Sequence, residues 1–360
     1  MGSLVTAALA QAYRGRRVLI TGDTGFKGSW LALALKDLGA TVFGFALPPE
    51  HEEGHYTVCD LRSLVEHHDG DVRDGAATSA AMRHAAPDVV FHLAAQPLVR
   101  RSYQDPKTTF DTNVGGAVNL LEAVRAQPSV RALVFVTSDK CYRNKEWVWG
   151  YREHDELGGD DPYSASKAAA ELVFASYAQS FFRERAAFGA ATVRAGNVIG
   201  GGDWAEGRIV PDCIRSLRQG APIILRNPRS TRPWQHVLEP VFGYLALGAR
   251  LLSAPTEFGG AWNFGPRAEA TRTVQDLAEE VVRGWGSGAI RVEPLPNAPH
   301  EAGLLQLSCD KAGNLLGWQA RWTFSEAVGA TASWYRRVHQ GESARDVSRS
   351  QIAAYLEGSS

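Results

Sequence analysis

The chain has 360 residues, 44% of them hydrophobic and 21% charged, with a formal net charge of −1. That composition is ordinary for a globular protein and allows one large domain or two closely joined ones. It gives no electrostatic footprint for nucleic acid or an anionic membrane, and no apolar run reaches the roughly 18–20 residues that a membrane span needs.

The opening run "MGSLVTAALAQAY" has no basic residue ahead of its apolar part. It is read as a short amphipathic helix, or in part a cloning remnant, and not as a signal peptide. Next, "RRVLITGDTGFKGSWLALALKDLGATVFGFAL" predicts a strand, a glycine-rich turn, a helix from about Ser29 to Leu38 ended by Gly39, and a second strand. Such a βαβ unit requires a parallel sheet. "DVVFHLAA" (88–95) and "ALVFVTS" (132–138) are continuous apolar runs of strand length, as buried parallel strands are. Helices are predicted over Asn113–Arg125 and Tyr163–Phe182, and another strand over 190–200. The expected fold class is α/β, a Rossmann-type doubly wound parallel sheet over residues 12–198. The chain is expected to rejoin that sheet at about 236–265. Residues 199–350 would form mainly a smaller substrate-binding domain of loops and short helices, with Pro-rich turns such as "EPLPNAPHEAG".

Gly22, Gly25 and Gly28 make G-x-x-G-x-x-G between strand and helix. Glycines there let backbone N–H groups approach a pyrophosphate, and the helix N-terminus favours its negative charge. The acidic residue that usually follows about 20 positions on, to hold the adenosine ribose, is missing. Lys27 inside the turn either favours a 2′-phosphate or is a solvated lysine, so the residues alone leave NAD and NADP open. Asp71, in "DGDVRD", is a candidate for the adenine edge or a helix cap.

Tyr163 and Lys167 stand at i and i+4, on one helix face. An ammonium there is expected to lower the phenol pKa from about 10 toward working pH, making Tyr163 a general base for an alcohol proton. Tyr-x-x-x-Lys alone is common by chance; joined to the glycine turn, the "HLAA" strand and Ser138, it is specific. Asp139 and Lys140, between Ser138 and Tyr163, are an acid and a base that simple alcohol oxidation does not need. The four cysteines, Cys59, Cys141, Cys213 and Cys309, are far apart without C-x-x-C or a nearby His pair. That speaks against zinc and disulfides and suits a cytoplasmic protein; Cys141 is read as packing, not as a nucleophile.

With these residues in view, the chain resembles the extended short-chain dehydrogenase/reductase family over roughly residues 14–345. The runs "TGDTGFKGSWL", "HLAAQPLVRRSY", "TSDKCYRNKEWVWGYRE", "DPYSASKAAAEL", "RAGNVIGGGDW", "RIVPD" and "RPWQHVLEP" resemble its nucleotide-sugar 4,6-dehydratases. Ser-Asp-Lys is the most specific of them: other 4,6-dehydratases carry Asp-Glu, and the epimerases have no such pair. The resemblance implies NAD as cofactor, held by Gly22, Gly25, Phe26, Lys27, Gly28, Asp71, Val72, Ala94 and Ala95 with Tyr163 and Lys167. It implies conversion of CDP-glucose to CDP-4-dehydro-6-deoxyglucose and water. Tyr163, Lys167 and Ser138 would serve oxidation at C4 and hydride return at C6. Asp139 and Lys140 would serve the elimination across C5–C6. By position Asp139 is the acid and Lys140 the base; by reference pKa the roles reverse unless burial shifts both.

Asn197, Arg208, Arg232, Gln96, Arg100 and His236 are the candidates for the substrate, the arginines because a guanidinium fork matches phosphate oxygens. Trp234 is read as aromatic packing. No metal site is expected. The helices around 103–125 and 163–182 would, by the resemblance, pair across a two-fold axis in a homodimer or a dimer of dimers. The rival readings are a 4-epimerase or reductase on the same fold, and a nucleotide-binding regulator without turnover.

Overall fold

The computed structural model describes residues 2–267, 271–293 and 305–358. The Pro-rich run predicted as turns lies, but for Glu293, outside the described residues. The chain runs α1 (Gly2–Tyr13), β1 (Arg17–Thr21), α2 (Phe26–Asp37), β2 (Thr41–Ala46), α3 (His55–Val58) and β3 (Glu66–Asp69). Next come α4 (Gly75–Ala85), β4 (Val89–His92), α5 (Val99–Gln104), α6 (Pro106–Phe110), α7 (Gly116–Ala126) and β5 (Ala132–Val136). After α8 (Pro162–Tyr177) follow β6 (Gly189–Arg194), β7 (Val198–Ile199), α9 (Ile209–Arg218), β8 (Ile223–Leu225), β9 (Thr231–Pro233) and β10 (Gln235–His236). The remainder is α10 (Leu238–Ser253), β11 (Gly260–Asn263), β12 (Thr271–Thr273), α11 (Val274–Trp285), β13 (Ile290–Val292), α12 (Phe324–His339) and α13 (Ala344–Glu357).

Seven strands form one parallel sheet in the order β3-β2-β1-β4-β5-β6-β11. The order reverses between β1 and β4, and ligands of such sheets bind outside the strand carboxyl ends at that point. The glycine turn follows β1 and "LAA" follows β4, so the sequence places both at the switch. β4 and β5 are buried along their whole length, which is why they read as unbroken apolar runs. One face of the sheet packs Val18, Ile20 and Val42 under α2 and α10, in a core that continues to Trp318 and Trp322. The other packs Leu19, Phe43 and Val90 under α4, α7 and α8. No helix among the described residues is long and apolar enough to cross a membrane.

Several elements differ from the sequence reading. β3 reads Glu-His-His-Asp and was not predicted, because an edge strand need not be apolar. The helix predicted from Asn113 begins earlier: α6 runs through a wide helical turn over Asp111–Gly115, in which Asn113 bonds Gln96 and Ser166, straight into α7. The strand predicted over 190–200 divides into β6 and β7, since Asn197 takes a left-handed backbone (φ 52°).

Candidate active site

Gly22 has φ +80°, and a Cβ on it would lie 2.7 Å from the Ala94 nitrogen, so the glycine turn rests directly on the end of the β4 segment. A Cβ on Gly28 would fall 2.0 Å from the Gly22 carbonyl, which lets the first turn of α2 close over the loop. Gly25 caps that helix without any side-chain hydrogen bond. The N–H groups of Phe26, Lys27 and Gly28 therefore end the helix uncapped, a fit for a pyrophosphate. Ala94 and Ala95 are half-buried beside the turn, and Val72 is buried against Gly116.

Asp71 accepts from the Arg73 backbone at 2.9 Å and from Arg73 Nε at 2.8 Å, and this pairing holds its carboxyl below the usual range. The alternative role as a helix cap is corrected: Asp74 caps α4, accepting from Ala76 and Ala77. A carboxylate the sequence reading passed over is Asp23, buried inside the turn and pressed on Gly44. His67 Nδ1 donates to its Oδ2 at 2.8 Å, while Oδ1 is buried without a partner among the described residues. The one available sign was an acid inside a turn otherwise made of small residues.

The catalytic candidates come together at the carboxyl edge. Pro162 opens α8, and the Asp161 side chain caps it by accepting from Ser164. Tyr163, Lys167 and Glu171 follow at successive i+4 steps, all three buried. Ser138 ends the β5 segment. Its hydroxyl donates to Asp139 Oδ1 at 2.9 Å and receives the Lys140 N–H at 3.2 Å. Asp139 is buried, and its carboxylate packs on Gly196, where a Cβ would lie only 1.9 Å from Oδ2. Asp139, Gly196, Asn197, Pro233, Gly265 and Leu307 line one small cavity.

Burial raises the Tyr163 phenol to about 12, against the lowering effects of the Ser138 hydroxyl and Arg208. This corrects the expectation of a lowered phenol: desolvation outweighs the Ser138 hydrogen bond and the Arg208 charge. Burial also brings Lys167 down to about 8, with the positive charge of Lys27 adding to the effect. Lys27 itself falls to about 8, first through burial and then through Arg208. Asp139 and Asp203 pull the other way, so Lys27 lies within reach of Arg208, Asp139 and Asp203 and is no solvated lysine. Cys141 is fully buried, and burial pushes its thiol well up, as a packing residue requires.

Between α8 and the sheet, Glu171 takes Arg194 Nε at 2.8 Å and Nη2 at 2.9 Å, with Thr137 and Thr192 on its remaining lone pairs. Arg194 Nη1 passes on to the Tyr142 hydroxyl at 2.6 Å, and Tyr142 donates to Asn263 at 2.8 Å. Sequence reading missed this network because its members lie on four separate elements.

The substrate candidates divide. Arg208 pairs with the buried Asp203 at 2.7 Å and acts on both Tyr163 and Lys27. Arg100 is exposed, with its guanidinium against Gly207. Arg232 lies on β9 and donates to the Thr231 carbonyl at 2.8 Å. Gln96 is buried, and its amide is spent on Leu98 and Thr109, so it braces the loop. His236 is corrected: it is 0% exposed between Trp30 and Trp322, with burial holding it near 3. Trp234 is buried beside Phe324.

Comparison with known proteins follows the same lines. The family model described as GDP-mannose 4,6 dehydratase matches residues 19–331. The CDP-glucose 4,6-dehydratase of Salmonella typhimurium is 46% identical over 348 residues, 96% of this chain and 97% of that one. The dTDP-glucose 4,6-dehydratase of Streptomyces antibioticus is 30% identical over 74% of this chain and 75% of its own. Among solved structures, the UDP-glucose 4-epimerase of Thermus thermophilus in complex with NAD superposes with a TM-score of 0.74 at 26% identity, covering 89% of this chain and 99% of that one. With the glycine turn at the switch point and Tyr163, Lys167 and Ser138 gathered beside it, the chain belongs to the GDP-mannose 4,6 dehydratase family.

Proposed function

We infer that this chain is a CDP-glucose 4,6-dehydratase, converting CDP-glucose to CDP-4-dehydro-6-deoxyglucose and water. One observation carries the reading beyond the family: Asp139 is hydrogen-bonded to Ser138 in the wall of the cavity that Asn197 shares, with Lys140 next in sequence. The relative at 46% identity supports the cytidine sugar.

Tyr163, beside Ser138, takes the proton from O4 as the C4–H hydride leaves, and Lys167 holds positive charge behind the phenol. The ketone so formed acidifies C5–H. Lys140 removes that proton, Asp139 delivers one to the departing 6-hydroxyl, and water leaves across C5–C6. Hydride return to C6, with a proton at C5, completes a reaction with no net redox change. NAD, when bound, would supply the acceptor that holds the hydride until it returns. The uncapped first turn of α2 and Gly25 would hold its pyrophosphate, and Asp71 and Val72 would border its adenine. NAD is preferred to NADP because Lys27 lies within reach of Arg208, Asp139 and Asp203, and the NAD-bound epimerase supports this. Arg208 and Arg100 are assigned to the substrate diphosphate.

We place the enzyme in the cytoplasm, consistent with four free cysteines, with no nucleic-acid or membrane partner. We also assign it a homodimer through the helices around α8. Incubation with CDP-glucose deuterated at C4 and catalytic NAD tests the chemistry. The label should appear at C6 of the product by mass spectrometry. Label lost to solvent, steady NADH accumulation, or a 4-epimer as product would overturn the assignment.

A further inference from the structure

At the far side of the cofactor half, three side chains that the reaction does not use converge on the open edge of the sheet. Alternation along β3 sends Glu66 and His68 to one face and His67 to the other, where His67 is buried against Asp23. The first face carries α4, whose last turn brings in His84. The ligand atoms of Glu66, His68 and His84 all lie within 4.8 Å of one another. His84 Nε2 is 2.5 Å from Glu66 Oε1, and His68 Nε2 is 3.8 Å from the same oxygen. The two imidazoles stand perpendicular with centroids 4.7 Å apart, so neither ring blocks the other's nitrogen. His84 is steadied on two sides: its ring meets the edge of Phe43, and its carbonyl accepts from Arg17 Nη2 at 3.2 Å.

We propose that Glu66, His68 and His84 form a binding site for a divalent transition metal of the zinc type. Two imidazole nitrogens and one carboxylate oxygen suit a borderline cation, whereas magnesium and calcium ask for oxygen alone. Ligand atoms around a tetrahedral zinc stand roughly 3.3 Å apart, from bond lengths of about 2.0–2.1 Å. The triad therefore needs only small rotamer adjustments to close. All three side chains are about half exposed, at 52%, 47% and 52%, which leaves water access to the fourth position. The site is structural. Glu66 begins β3 and His84 ends α4, so both lie at the amino end of the sheet, away from the chemistry at the carboxyl end. A metal there ties the edge strand to α4 and holds the strand that leads directly into Asp71 and Val72.

The test uses the full chain, free of any histidine tag, stripped with chelator and titrated with zinc chloride by calorimetry and thermal melting. One saturable equivalent is expected, with a rise in melting temperature of roughly 2–4 °C at a hundredfold excess over Kd. Magnesium chloride should give neither effect. The double variant His68→Gln, His84→Gln should lose the equivalent and the shift while keeping wild-type dehydratase turnover and its metal-free melting temperature. A wild type without a saturable equivalent overturns the proposal. So does a double variant that still binds zinc as tightly, since the metal would then sit on other groups, or magnesium binding equal to that of zinc.

Discussion

Glu171 and Arg194 meet as a buried bidentate pair on the face of α8 that carries Tyr163 and Lys167, one helical turn beyond Lys167. The pair joins the helix that carries Tyr163 to β6, and through Tyr142 and Asn263 to the last strand of the sheet. Removing one partner of such a pair leaves an uncompensated charge in the core. Glu171→Ala should therefore cost about 3–5 kcal/mol in urea unfolding, and Glu171→Gln, which keeps an acceptor for Arg194, clearly less. Equal and small losses in both variants would show that solvent reaches the pair.

The elimination step separates from oxidation. Lys140→Ala should still bind both ligands and let Tyr163 act, so NADH should form on the enzyme, visible by its near-ultraviolet absorbance, and persist. Overall turnover should fall by about 10²- to 10⁴-fold, the usual contribution of a general base. Asp139→Asn should behave in the same way. Tyr163→Phe should show no NADH at all. A Lys140→Ala enzyme that turns over normally would remove Lys140 from the mechanism; one that binds both ligands yet forms no NADH would make it a positioning group for the sugar.

Lys27 and Lys167 are two cations whose pKa values burial has lowered to about 8. Between about 8 and 10.4 the unfolded chain binds more protons at these lysines than the folded chain does, so their joint contribution to stability should rise with pH across that window. Lys27→Met removes one buried charge and one of the influences that lower Lys167. The variant should be more stable than wild type near pH 7, and the alkaline limb of its rate profile should move to higher pH. Denaturant melts and kcat measured across pH 6–10 check both directions; an unmoved limb would detach Lys27 from Lys167.

Tyr103 and Leu172, on α5 and α8, are 67% and 62% exposed, and Phe110 and Phe181 are exposed nearby in sequence. Apolar side chains of this size on neighbouring helices call for a partner face, and a second copy supplies one by two-fold symmetry. Light scattering at micromolar concentration should give a dimer or larger, and Leu172→Glu should shift it toward monomer. A monomeric wild type, or a dimer indifferent to Leu172→Glu, would point elsewhere.

What the sequence disclosed and what it withheld follow from the range of the forces involved. The βαβ start, the buried strands and the Tyr163–Lys167 face are set by local periodicity, and local periodicity is written in the chain. β3 was invisible because an edge strand is held by its backbone and does not require apolar side chains. Phenol titration was misjudged because i+4 spacing shows the neighbouring cation but not the depth of burial. His236 was placed in the cleft by its neighbourhood in sequence, whereas strand alternation and two tryptophans enclose it. Asp23, Glu171 and Arg194 acquire meaning only from partners on other elements, at 44 positions' separation in one case and 23 in the other.

The contact between Asp139 and Gly196 bears on where the acid can sit. Because a methyl group at position 196 would occupy the space of the Asp139 carboxylate, the acid and the glycine are a matched pair drawn from two strand ends. An oxidoreductase of this fold that carried aspartate at position 139 and alanine at 196 would have to hold that carboxylate in another place. The position of the Asp139 carboxylate therefore depends on a glycine that performs no chemistry, and a side chain at 196 would force the carboxylate to move.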